Sequence, residues 1–188
     1  MALVEFRVDG EKELREGLRA AARVLSAKGR KRLLEGFGDI LERGIGEAFE
    51  SERAPQNVAP VGRAASAAGA SWRALRPLTL LNRRKAGGGA KILQDTGTGR
   101  HVSRSVTSNH VEVGTPLQYM LYQHGGTNPY TIVPRNAKFL RFMGPGGPIF
   151  TKSVDHPGLP PRPFIGYGPR EVTSMLKWVA LQLRRAMG

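Results

Sequence analysis

Residues 92–166 constrain this chain more than any other stretch. Short apolar runs alternate there with polar residues, and Gly or Pro marks each break. The run Ile92-Leu93-Gln94-Asp95-Thr96-Gly97 leads to Val111-Glu112-Val113-Gly114-Thr115. Then come Tyr119-Met120-Leu121-Tyr122-Gln123-His124-Gly125-Gly126 and Pro160-Pro161-Arg162-Pro163-Phe164-Ile165-Gly166. Apolar–polar alternation cut by such breakers is the pattern of a small, turn-rich β-sheet. Strands are expected near 102–107 and 110–114 around Ser108-Asn109. Two more are expected at 131–133 and 139–142 around Pro134-Arg135-Asn136, and another at 149–154. A short helix from Pro116 carries Tyr119, Met120 and Tyr122. Residues 157–163 are extended, because each proline biases the residue before it away from helix.

Helical spacing appears on both sides of this stretch. After an alternating strand at 2–8, Leu14, Leu18, Ala21, Ala22 and Leu25 form the apolar stripe of a first helix. A second helix spans about 30–52, with Leu33, Leu34, Phe37, Ile40, Leu41, Ile45, Ala48 and Phe49 as its stripe. Gly36, Gly38, Gly44 and Gly46 each weaken it by about 1 kcal/mol relative to Ala. A helix that keeps them is held by packing where a neighbour comes close. A last helix covers about 170–187, with Val172, Met175, Leu176, Val179, Leu183 and Met187 inward. The expected fold is therefore α+β. A small mixed or antiparallel sheet is packed by the second and last helices, with long extended loops. The 188 residues fit a single domain. Its parts are 1–53 (strand and two helices), 54–91 (loop or arm), 92–168 (β-rich) and 169–188 (helix).

Charge is distributed unevenly. Residues 1–53 hold 11 Lys/Arg and 11 Asp/Glu, so the whole net charge of +14 lies in residues 54–188. The only acids there are Asp95, Glu112, Asp155 and Glu171. Such a field favours a polyanion or an acidic protein surface. Arg73, Arg76, Arg83, Arg84, Lys85, Lys91, Arg100 and Arg104 form the densest basic group, expected on an exposed tip and its flanks. A charge run is also often just a solvated face. Trp72 is the lone aromatic among them, which argues against base stacking. The chain has no cysteine, which excludes disulfides and thiolate metal sites and fits a reducing compartment. Its N-terminus lacks the pattern of a signal peptide, and no apolar run approaches the roughly 18 residues that span a bilayer. A chain made in the cytoplasm, with no membrane partner, is the expectation.

Motifs for catalysis or cofactors are weak. Gly87-Gly88-Gly89-Ala90-Lys91 fails the phosphate-loop spacing, and Gly97-Thr98-Gly99-Arg100 lacks the third glycine of a dinucleotide turn. His101, His110, His124 and His156 contain no pair at metal-helix spacing. Asp95 stands where it caps a turn through Thr96-Gly97. No metal, cofactor or catalytic residue is expected, and the chain is not expected to be an enzyme.

The ordered set Asp95-Thr96-Gly97, then Gly114, Tyr119 and Gln123-His124-Gly125, then Pro161-Arg162-Pro163-Phe164 resembles the phage virion-morphogenesis family. These are the tail-completion proteins of Mu-like and related phages. The likeness covers roughly residues 70–186. Gly99-Arg100-His101 departs from that pattern, and residues 138–163 look more like a related neck-protein family of long-tailed phages. The resemblance implies a structural ring subunit, hexameric, at the head-proximal end of the tail. It implies as partners further copies of the chain, tail terminator or tail tube proteins and head–tail connector proteins, with phage DNA in the channel, and location in the virion. The family-motif residues would then be structural. In Pro161-Arg162-Pro163-Phe164, Phe164 would be core and Arg162 would fix the strand by hydrogen bonds. Two other readings stay open: a basic nucleic-acid-binding module, and a hydrolase using Asp95 or His124.

Overall fold

The computed structural model describes residues 11–87, 89–95, 98–144 and 146–187. The strand expected at 2–8 and the calls on Thr96 and Gly97 lie outside them. The fold is α+β. Its helices are α1 (Glu11–Leu25), α2 (Ala27–Ser51), α3 (Pro77–Lys85), α4 (Gln118–Gly125) and α5 (Pro169–Met187). Its strands are β1 (Asn57–Val58), β2 (Ser103–Val106), β3 (Val111–Gly114), β4 (Tyr130–Ile132), β5 (Leu140–Gly144), β6 (Gly147–Thr151), β7 (Val154–His156) and β8 (Gly166–Tyr167).

The strands form four two-stranded sheets, β1-β8, β2-β3, β4-β7 and β5-β6, not the single sheet expected from the sequence. Strands of two to five residues offer too few ladder bonds to recruit a third neighbour. The pairing of β4 also differs from expectation. It joins β7, Tyr130 opposite His156, while β5 folds onto β6 with Gly144 opposite Gly147. Gly147 sits at φ +123°, a conformation that closes the tight turn between them. The two ladders are thus nested, and residues 130–156 form one interrupted β-ribbon.

The chain divides into two compact units. The first comprises residues 1–46, 102–114 and 167–188, the second residues 47–101 and 115–166.

In the first unit α1 packs on α5. Ala20 and Val24 are buried, whereas Leu14, Leu18 and Leu25 are 59–63% exposed. The helix has turned its small residues inward, the reverse of the expected leucine stripe. Small side chains let two helices approach closely, so Ala20 and Val24 win the contact and the leucines stay outside. On α5 the inward line is likewise rotated by about one residue, with Gln182 buried and Leu176 at 66% exposure. The glycines of α2 receive side chains. A Cβ at Gly36 would lie 2.2 Å from Trp178 Nε1, and one at Gly38 2.3 Å from Arg104 Cδ. Arg104, on β2, also pairs with Asp39 and Glu42, which ties the β2-β3 hairpin to α2. Gly46, by contrast, faces open space.

These surroundings predict opposite signs for one substitution. Gly36→Ala forces the Trp178 ring to move and should destabilise by roughly 1–3 kcal/mol, as overpacking does. Gly46→Ala should stabilise by about 1 kcal/mol through helix propensity. Urea unfolding of both variants reads the difference directly, and equal shifts would discard the packing of Trp178 on Gly36.

Candidate functional site

Within the second unit the family-like segments meet around one buried cluster. Phe49, from the last turns of α2, lies under Trp72 and Phe164, with ring centroids 5.6 and 5.2 Å away. His124, from the last turn of α4, meets the Phe164 ring edge-on at 5.1 Å. Phe49, Phe164, Met120 and His124 are all fully buried. Residues 161–164 cannot form a ladder through Pro161 and Pro163, which lack N–H groups. One side-chain bond and one backbone bond to α4 hold the segment instead. Trp72 Nε1 donates to the Pro163 carbonyl at 2.9 Å, and Arg162 N donates to the Gln123 carbonyl at 2.9 Å.

His124 is a crossing point. Its Nε2 lies 3.1 Å from the Ala59 carbonyl, while Nδ1 accepts from the backbone N–H of Phe164 at 3.3 Å and of Ile165 at 3.4 Å. This set is satisfied by a neutral ring protonated on Nε2. Burial pushes its pKa below the usual histidine value, against the opposing effect of the Ala59 carbonyl. Both ring nitrogens are engaged by backbone groups and the ring is 1% exposed, an arrangement that ties three segments together.

Arg162 is buried as well. Its guanidinium donates to the Arg73 carbonyl from Nε at 3.3 Å and from Nη2 at 3.1 Å. Burial, followed by the nearby cations Arg83 and Arg73, lowers its pKa. A planar, permanently charged fork is the group best suited to hold a carbonyl from two sides in such a place. Gly125 completes the cluster. A Cβ there would lie 2.6 Å from the Val61 carbonyl, and Arg63 N donates to the Gly125 carbonyl at 2.8 Å. Only glycine allows that approach.

Residues 54–71, expected as an aperiodic loop or arm, form a loop that folds back on itself. Arg53 and Ser71 are bridged, Ala54 N donates to the Ala70 carbonyl, and Ala54 and Ala64 are buried. Glu52 ends α2 at φ +51°, an unusual conformation for a side-chain-bearing residue. Bonds from Trp72 N to its carbonyl and from Ile92 N to its carboxylate hold it there. Nothing in the sequence marked Glu52, because both partners are distant along the chain.

Of the eight basic residues, Arg104 belongs to the first unit and the other seven to the second. Arg83, Arg84 and Lys85, expected on an exposed tip, form the last turn of α3, where Arg84 and Lys85 are exposed. Arg83 Nε lies 3.7 Å from Asp95, and its side chain is only 18% exposed. Lys91 and Arg100 both pair with Glu50. The hydrogen bond from Lys91, with the charges of Lys91 and Arg100, holds the Glu50 carboxyl below the usual range. Charge counting along the chain had left these cations without acids, because Glu50 lies on a separate helix. Arg73, Arg76, Arg84 and Lys85 have no acidic partner among the described residues and are exposed.

Gly114 ends β3 in the first unit, and Tyr119 is 49% exposed on α4. No group of three or more His, Asp or Glu able to hold a metal occurs among the described residues. None of their helices is long and apolar enough to cross a membrane.

The buried cluster supports an exposed β-ribbon. Tyr130, Val133, Phe139, Phe142, Met143, Ile149 and Phe150 are 41–65% exposed along it. Arg141 lies over the Phe150 ring at 5.9 Å. A two-stranded ribbon has no interior, so these side chains have nowhere to hide within it. No model of a known protein family matches this chain, and no curated protein or solved structure matches it either.

Proposed function

We propose that this chain is a structural assembly subunit, a tail-completion or head–tail joining protein that works as a ring at the neck of a phage tail. One observation carries the reading: seven large apolar side chains stand on the ribbon of residues 130–156 with no layer covering them. By the register, Phe142 and Ile149 share one face of the inner hairpin and Met143 and Phe150 the other. Monomeric proteins seldom expose so many large apolar side chains on one element, whereas ring subunits bury such elements against the next copy. Open edges on β5 and β6 add backbone groups that a neighbour can pair. The ordered motifs between Asp95 and Phe164 supply the phage component, since they resemble the virion-morphogenesis family. Head–tail connector and tail tube proteins are the further partners in this reading. The unpaired cations Arg73, Arg76, Arg84 and Lys85 would face acidic protein or channel DNA.

Sedimentation of the purified chain tests self-association. The expected result is a closed oligomer, hexameric on the family's pattern. Phe142→Ser with Phe150→Ser should dissociate it by at least about tenfold in Kd while leaving the subunit folded, as loss of central apolar contacts does. A monomer at all concentrations, or an oligomer indifferent to both substitutions, would remove the basis for the proposal. Adding purified tails then tests the phage role, through binding that the same variants lose.

A further inference from the structure

A second, unrelated feature lies in the first unit, where α1, α2 and α5 meet. A cleft of about 170 Å³ is lined there by Arg23 and Val24 of α1, Gly29 and Arg32 of α2, and Gln182 and Arg185 of α5. Its charged lining is three arginines and no acid. Sequence spacing explains the convergence. Gln182 and Arg185 are three apart on α5, and Gly29 and Arg32 are three apart on α2, so each pair shares a helix face. Gly29 packs against the end of α1, where a Cβ would lie 2.3 Å from the Val24 carbonyl oxygen.

Helix ends account for one of these cations only. Arg23 Nη2 donates to the Ala186 carbonyl near the end of α5, an ordinary use of arginine at a helix C-terminus. Arg32 and Arg185 have no acidic or carbonyl partner among the described residues. Two acids lie near these faces: Glu16 lines the neighbouring depression with Arg19 and Arg23, and Glu35 stands three residues from Arg32 on α2, but neither lines the cleft. Gln182 supplies the independent observation. It is 5% exposed, and its Nε2 has no hydrogen-bond partner. A buried amide donor left unpaired costs about 1–3 kcal/mol. Donors from three side chains with no matching acceptor, Arg32, Arg185 and Gln182, define a complementary ligand: a compact oxyanion with several acceptor oxygens.

We infer that this cleft binds a phosphate group, either free phosphate or a phosphate of a nucleic-acid backbone. Guanidinium forks match phosphate geometry bidentately, and the buried Gln182 amide fixes one oxygen at the base. The proposal is independent of the ring reading, since it uses none of the ribbon residues.

Thermal unfolding of the full chain, titrated with inorganic phosphate and with chloride at matched ionic strength, provides the test. Phosphate should raise the Tm saturably and chloride should not. Arg32→Gln with Arg185→Gln should weaken the phosphate effect by at least about tenfold, because each removes a charge-assisted bond. Both side chains are on the surface, so the variant should fold. Gln182→Leu should also weaken it while leaving the unliganded protein at least as stable, since the unpaired donor is gone. A short DNA duplex forms the second arm. If its affinity falls with the same variants, the phosphate is that of a backbone; if only inorganic phosphate responds, the ligand is the free anion. Equal effects of phosphate and chloride, or a phosphate response that survives both variants, would overturn the inference.

Discussion

Phe164→Ala should lower stability by about 3–5 kcal/mol, the usual cost of emptying a buried phenylalanine site. The ring is fully buried and touches Phe49 and His124. Its neighbours cannot close the cavity easily. Pro161 and Pro163 stiffen the segment on one side, and His124 is held by three backbone groups on the other. Phe150→Ala offers the control. That ring is 63% exposed, so its loss should cost the isolated subunit less than about 0.5 kcal/mol. Urea midpoints of the two variants at a concentration where the chain is monomeric should differ widely. Similar midpoints would mean that residues 161–164 are not the keystone of the second unit.

Acid should weaken the same cluster through His124. Its folded-state pKa is depressed below the ordinary value of 6.5, chiefly by burial. The unfolded chain therefore takes up the proton first as pH falls. The contribution of neutral His124 is complete above about 6.5, and is lost as pH falls from there through the folded-state pKa. A proton on Nδ1 also removes the acceptor used by Phe164 N and Ile165 N. Stability measured from pH 7.5 to 5 should fall, and His124→Gln should be less stable at neutral pH but flatter across that range. Glu50 titrates in a different window. Its folded pKa is lowered from 4.5, so its share is lost only below that value. An unchanged slope in the His124 variant would assign the acid sensitivity elsewhere.

Local chemistry made some features legible in the sequence and hid others. The α+β class, the helix at α4 and the β2-β3 hairpin around Ser108-Asn109 all follow from patterns within about ten residues. Breakers and short-range periodicity act at that distance, and tertiary contacts did not override them. The segments Gln123-His124-Gly125 and Pro161-Arg162-Pro163-Phe164 stood out as motifs, but their junction did not. It depends on Phe49, Trp72, Ala59 and Arg73, whose contacts close long loops.

Periodicity alone also misjudged which face of α1 is inward. Leucine spacing defines an apolar stripe but not what covers it, and close helix contact selected Ala20 and Val24 instead. β4 could have paired with either of two later strands. Closure of the Gly144–Gly147 turn gave β6 to β5 and left β7 to β4. Cations read as unpaired along the chain found Glu50 and Asp95 in space. Sequence determined α1, α2, α4, α5, the β2-β3 hairpin and the two motifs, because those depend on neighbours along the backbone, but not α3 or the division of the strand expected at 149–154 into β6 and β7. Only the tertiary structure decided burial, strand partners and ion pairs, because these depend on which distant surfaces compete for the same contact.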